Sequence, residues 1–105
     1  VYAHCTPARP GAATVLIINV DTAAPRAVTL PATAGGGRYE LWWLTAPGGN
    51  ASSAEVQLNG ALLEAGADGS IPPLHGQPFA GPVLSIAPQS YAFVIVPGAA
   101  PAACA

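Results

Sequence analysis

Lysine and methionine are both missing from this 105-residue chain, and only Arg9, Arg26 and Arg38 carry a fixed positive charge. A surface for nucleic acid or another polyanion needs clustered cations to neutralise phosphates or sulfates, and three scattered arginines do not supply one. Charged residues make up 8% of the chain, with a formal net charge of −2. Long apolar runs are missing as well. None approaches the ~20 residues that a membrane-spanning helix needs, so no transmembrane segment is expected. The apolar stretch "AFVIVPGAAPAACA" is short and broken by Pro97 and Pro101. An initiator Met is absent, and "VYAHCT" reads as a strand already under way, so the expectation is a fragment or a processed chain.

Helical periodicity is the next absence. Twelve Gly and twelve Pro punctuate the sequence, and no stretch keeps a helical period for ten residues without one of them. Short apolar segments between such breakers read as strands. They are expected near Val1–Cys5, Thr14–Val20, Ala27–Leu30, Arg38–Leu44, Glu55–Leu58, Ala61–Glu64, Val83–Ile86 and Ser90–Val96. With 51% hydrophobic and 8% charged residues an ordered chain is expected, and this length suits one domain that buries roughly 60–70% of its unfolded surface. The expected fold is all-β, an antiparallel β-sandwich of about eight short strands over residues 1–105.

The sharpest local signal is "EVQLNGALLE". Asn59-Gly60 suits a two-residue type I′ hairpin turn, in which both residues need φ > 0. That turn pairs Leu58 with Ala61, Gln57 with Leu62, Val56 with Leu63 and Glu55 with Glu64. Val56, Leu58, Ala61 and Leu63 then share one face. Two other strands behave differently. "TVLIINV" and "SYAFVIV" are apolar on both faces, whereas a sandwich buries one face of each sheet. Such strands need cover on both sides, which points to a neighbouring domain.

Candidate chemistry is thin. Glu55 and Glu64, placed cross-strand, would bring their Cβ atoms ~4.5–5.5 Å apart, close to the carboxyl spacing of a retaining glycosidase. They sit at the open end of a hairpin, however, on its polar face and with no aromatic cleft, where solvation relieves like charges. His4, Cys5, His75 and Cys104 have the composition of a zinc site without its spacing. Adjacent His4 and Cys5 point to opposite faces of a strand, so they share neither a metal nor a Cys–His nucleophilic pair. Trp42 and Trp43 split across a strand in the same way. One fills the core, and the other meets a neighbouring domain or a sugar ring. "AGGGR" lacks the Lys-Ser/Thr of a phosphate loop and reads as a flexible turn. No catalytic, metal or cofactor-binding residue is assigned.

Two features address the compartment. "NAS" makes Asn50 an N-glycosylation acceptor. Cys5 has one intrachain partner to choose, Cys104. Bonded, they close a loop of roughly 100 residues, worth up to ~4–5 kcal/mol in the chain-entropy model; as two unrelated buried thiols they would carry no such meaning. Strands meeting at the ends of a domain favour the bond, and with it an oxidising compartment.

Taken in order, "VYAHCT", "VQLNG", "IPPL", "SYAFVIV" and "AACA" resemble the C-terminal β-domain of heparanase and heparanase-like proteins, glycoside hydrolase family 79. The Ala/Gly/Pro-rich loops look more like a plant member. The resemblance runs from Val1 to Ala105. It implies an upstream (β/α)8 barrel with two catalytic glutamates and retaining hydrolysis of β-linked glucuronic acid. Neither glutamate falls on this chain. The resemblance also implies that Cys5 and Cys104 are the family's bonded pair, and that the β-domain packs on the barrel and receives a strand from the N-terminal part of the parent chain. Glucuronic-acid-containing glycan would be met at most indirectly, and the protein would be secreted or vacuolar-lysosomal. "YELWWL" is more aromatic than that pattern, and "AGGGR" departs from it. The alternative is an independent carbohydrate-binding or immunoglobulin-like module.

Overall fold

The computed structural model describes residues 1–33, 37–99 and 102–104. Nine strands form among them: β1 Tyr2–Cys5, β2 Ala13–Asn19, β3 Arg26–Thr29, β4 Tyr39–Thr45, β5 Gln57–Leu58, β6 Ala61–Leu62, β7 Gln77–Phe79, β8 Val83–Ile86 and β9 Ser90–Val96. The only helical pieces among the described residues are 3-10 turns at Pro47–Gly49 and Ala102–Cys104. The fold is all-β, a small sandwich of two antiparallel sheets.

The two layers are unequal. Seven strands make the large sheet, in the order β1-β2-β9-β4-β5-β6 with β7 also paired to β4, while β3 and β8 alone make the second. β2, β4 and β9 are the longest strands at seven residues each, and their β-branched and aromatic residues suit a pleated central position. β9 lies between β2 and β4, with Val94 opposite both Val15 and Leu41.

Strand alternation sends one side of this sheet inward. Val15 and Ile17 of β2, Tyr39 and Leu41 of β4, and Ala92, Val94 and Val96 of β9 meet Leu84 and Ile86 of β8, with Leu30 completing the core. Val28, Trp43 and Phe79 pack on its margin. The Tyr39 hydroxyl donates to the Pro31 carbonyl at 2.7 Å, so this buried aromatic keeps its polar end satisfied. Gly81 has φ 61° and lies so close to the Tyr39 ring that a Cβ there would overlap it.

Asn19 joins the layers. It is 6% exposed, and its Nδ2 donates to the carbonyls of Ala24 and Ile86, each at 3.0 Å, while its Oδ1 accepts from the Asp21 amide. A buried side chain with donors and acceptor all used fixes the end of β2 against the end of β8.

β7 has no counterpart among the expected strands, because Pro78 and Gly76 read as breakers. Proline is tolerated on an edge strand, where its missing N–H faces away from the ladder, and β7 pairs only with β4. The hairpin formed in the expected register, Gln57 with Leu62 and Leu58 with Ala61. Asn59 and Gly60 both have positive φ, at 49° and 84°. The ladder is shorter than expected. Beyond it, the Leu63 amide still donates to the Val56 carbonyl at 2.8 Å, while Glu55 and Glu64 lie exposed outside any strand.

Cys5 and Cys104 are bonded, with Cα atoms 5.3 Å apart across 99 residues of sequence. The expectation of two strands joined at their ends needs one correction. Cys5 ends β1, but Cys104 sits in a 3-10 turn. That turn is held a second time where the Gly11 amide donates to the Cys104 carbonyl at 2.6 Å.

Candidate functional site

The outward side of the large sheet is the part of the molecule left without a layer. Register places Tyr2, Leu16, Phe93 and Trp42 in one cross-strand row, and Ile18, Tyr91, Leu44, Leu58 and Ala61 in the next. Tyr2 is 69% exposed, Ile18 49% and Tyr91 39%. Leu16 and Ile18 of β2 and Tyr91 and Phe93 of β9 belong to the outward halves of the two strands that read as apolar on both faces. Their inward halves are buried, and their outward halves face no second sheet among the described residues.

Between β4, the hairpin and the "IPPL" segment lies an apolar slot of about 270 Å³, lined by Trp42, Leu44, Leu58, Leu63, Leu74 and Phe93. The Trp42 indole N–H donates to the Leu74 carbonyl at 3.0 Å and pins that segment to the sheet. Leu74 is 52% exposed at the slot's edge, and Ile71 nearby stands 81% exposed. Tyr91 and Phe93 meet edge-on, their ring centres 6.1 Å apart.

A third row, with polar residues on either side of buried Ile95, closes the face at the disulfide end. His4, Thr14, Ile95, Glu40 and Pro78 line up there. Arg9, from the loop between β1 and β2, reaches across β2 and β9 to pair with Glu40 at 2.9 Å. The hydroxyls of Thr6 and Thr14 bond to each other at 2.9 Å. An exposed pair of this kind adds little stability, but it gives the apolar rows a charged border.

The tryptophans do divide between the faces. Trp43 turns inward to the core margin, and its indole N–H donates to the Ser90 hydroxyl at 3.3 Å. The exposed edge of β4 is completed by a side chain. Between β7 and β5, Asn59 accepts from the Trp43 amide through Oδ1 at 2.8 Å and donates to the Leu41 carbonyl through Nδ2 at 3.1 Å. Asn59 therefore stands in for one residue of a strand. Sequence reading found its turn but not this role, and Asn19 and the Arg9–Glu40 border were missed as well. For Asn19 the one available signal is a polar residue closing an otherwise apolar strand.

The sequence-derived chemical candidates do not converge. Glu55 and Glu64 are exposed beyond the hairpin ladder. His4 bonds through Nδ1 to the Cys5 carbonyl at 2.8 Å, and Cys5 is consumed by the disulfide. His75 lies exposed in the segment before β7. Among the described residues no three His, Cys, Asp or Glu side chains gather in a metal-holding group, and no helix is long and apolar enough to cross a membrane. Residues 34–36 of the "AGGGR" stretch lie outside the described residues. Asn50 is exposed in the loop that follows β4.

Two carboxyls have lowered pKa values, and both build turns. Backbone N–H groups of Ala23 and Ala24, together with the Arg26 guanidinium, bring Asp21 down to about 2. The Ser70 hydroxyl and amide lower Asp68.

On the inward side, a hollow of about 490 Å³ opens beside β8. Leu41, Trp43, Phe79, Val83 and Leu84 are among its lining residues. The free edge of β8 borders it, since β8 pairs only with β3. The two-strand layer is too narrow to cover this part of the larger sheet.

No family model matches the chain, and no curated protein matches it either.

Proposed function

We propose that this chain is the C-terminal β-domain of a heparanase-like protein of glycoside hydrolase family 79, a non-catalytic module that braces a (β/α)8 barrel. The parent enzyme would cleave β-linked glucuronic acid in glycans with retention of configuration, using glutamates that lie outside this chain. One observation carries the reading: the central sheet presents two continuous apolar rows outward, with no layer among the described residues to cover them. Exposed apolar patches of this extent mark interaction surfaces. The five ordered sequence segments that resemble the family supply the identity of the partner, and the bonded cysteines agree with it.

The same reading gives the inward hollow an occupant. A strand from the N-terminal part of the parent chain would pair with the free edge of β8 and set alternate side chains against Trp43 and Phe79. Backbone pairing supplies the affinity in such strand addition, and alternate side-chain pockets supply the register. The disulfide supports a secretory route, because such bonds persist in oxidising compartments.

A stand-alone carbohydrate module draws less support. Sugar platforms use an aromatic face with polar groups converging beside it, whereas the slot at Trp42 is lined by hydrocarbon alone and the indole N–H is already committed.

The test is to express the chain alone and together with the polypeptide encoded immediately upstream. Alone, it is expected to self-associate and to show no affinity for a panel of glycans. With a barrel upstream, hydrogen exchange should slow at Leu16, Phe93 and Trp42. A monomeric isolated chain that binds glycan through Trp42, or an upstream region that encodes no barrel, would overturn the proposal.

A further inference from the structure

We infer that Asn50 carries an N-linked oligosaccharide whose first sugar rests on the adjoining hollow of mixed polarity and keeps that corner of the sheet in solvent. The site stands at the opposite end of the large sheet from the disulfide. β4 runs out at Thr45, the 3-10 turn Pro47–Gly49 follows, and Asn50 leaves that turn with an extended backbone, φ −85° and ψ 99°. Bonds from the Gly49 amide to the Ala46 carbonyl, from the Asn50 amide to the Pro47 carbonyl and from the Ser53 amide to the Asn50 carbonyl hold the loop, at 3.0, 3.2 and 2.9 Å.

The acceptor chemistry is in place. Asn50, Ala51 and Ser52 are all exposed, and neither Ala51 nor Ser53 is the proline that would block transfer. Asn50 accepts from the Ser52 amide through Oδ1 at 3.1 Å, a turn that uses the carbonyl and leaves the Nδ2 amide unused by that bond. In the transfer, Nδ2 forms a bond to the anomeric carbon of a lipid-pyrophosphate-linked oligosaccharide. The bond from that carbon to the pyrophosphate oxygen breaks, lipid pyrophosphate departs, and the amide proton passes to a base of the transferase. The Cys5–Cys104 bond adds an independent reason to place the chain in the compartment where such transfer occurs.

The hollow beside the site has about 160 Å³; Leu44, Ala51, Val56 and Tyr91 give it an apolar side, and Thr45, Ser53, Glu55 and Gln89 a polar one suited to sugar hydroxyls. Val56 and Tyr91 are partly exposed there. Ala51 is the residue next to the acceptor, so the first sugar lies within reach, its acetyl methyl and apolar ring face against Tyr91. A hydrated oligosaccharide at this corner cannot lie inside a dry interface. As a corollary that rests on the docking reading, the barrel would then contact the row of Tyr2, Leu16, Phe93 and Trp42.

The experiment expresses the full chain behind a secretory leader in an animal cell line and maps peptides after treatment with peptide N-glycanase in heavy-oxygen water. Asn50 should appear as labelled Asp. N50Q and S52A should abolish the label, and S52T should raise occupancy. If secretion fails, the microsome-bound nascent chain is read instead, because transfer precedes folding. An unlabelled Asn50 in a chain whose introduced control acceptor is occupied overturns the site. For the hollow, enzymatic removal of the sugar should raise the fluorescence of a hydrophobic dye, and Y91S should suppress that rise. An unchanged signal on removal overturns the sugar's placement. None of these readouts depends on the barrel, so they fail independently of the proposed function.

Discussion

The two faces of β9 carry the same kind of residue and are covered to different degrees. Ala92, Val94 and Val96 are each 0% exposed, while the other face runs from Tyr91 at 39% through half-buried Phe93 to Ile95, which lies opposite Glu40 and is buried. Hydropathy does not separate them; the presence of a facing layer does. Inward there is Ile86 of β8, also 0% exposed, and outward no strand among the described residues. Burial of apolar area is a property of a pair of surfaces, and the described residues supply both members of the pair on one side only.

The contrast can be tested by mutation, beginning with a control common to both faces. Cys104→Ser removes the loop constraint and should lower stability by up to ~4–5 kcal/mol in the chain-entropy model, read as a fall in the urea midpoint and in secreted yield. Ile86→Ala acts on the inward face alone. It leaves a cavity among Val94, Val96 and Leu84 and should cost about 2–5 kcal/mol, measured by urea denaturation. Asn19→Ala strips the seam between the layers and leaves the Ile86 carbonyl without its donor, an expected loss of about 1–3 kcal/mol by the same measurement.

A pH series sharpens the comparison next, because the loop that carries the chain from the large sheet to the small one depends on an ionised Asp21. Its folded pKa of about 2 lies below the ordinary 3.8. Its contribution is therefore complete above the unfolded value and disappears as pH falls through the folded one. The urea midpoint should drop between about pH 5 and pH 2, and Asp21→Asn should flatten that drop. The smallest effect belongs to the outward face. Ile18→Ser should change stability by no more than about 0.5 kcal/mol while reducing self-association in sedimentation. A loss comparable with that of Ile86→Ala would erase the distinction between the faces.

Much of this was legible because strand signals are local. β8 and β9 begin and end where their Gly and Pro neighbours place them, and the Asn59-Gly60 turn set the hairpin register. The alternation of "TVLIINV" and "SYAFVIV" also exposed the demand for cover on both sides. What escaped notice was long-range. Pro78 masks a strand that exists only because β4 offers an edge. Asn59 serves as both a turn residue and a surrogate for a strand residue, and the second role depends on where β4 passes. Arg9 and Glu40 are 31 residues apart, and no sequence pattern links them. Site chemistry was least legible because the outward face consists of ordinary hydrocarbon residues, distinguished only by what does not touch them.

The sulfur bridge has a topological effect beyond its energetic one. Because it joins residue 5 to residue 104, a protease that cuts the exposed stretch from Glu64 to Ser70 would leave a nicked ring rather than two free pieces. Mechanical load passing through the two cysteines would likewise bypass the sheets, travelling from one terminal segment to the other through a single covalent bond.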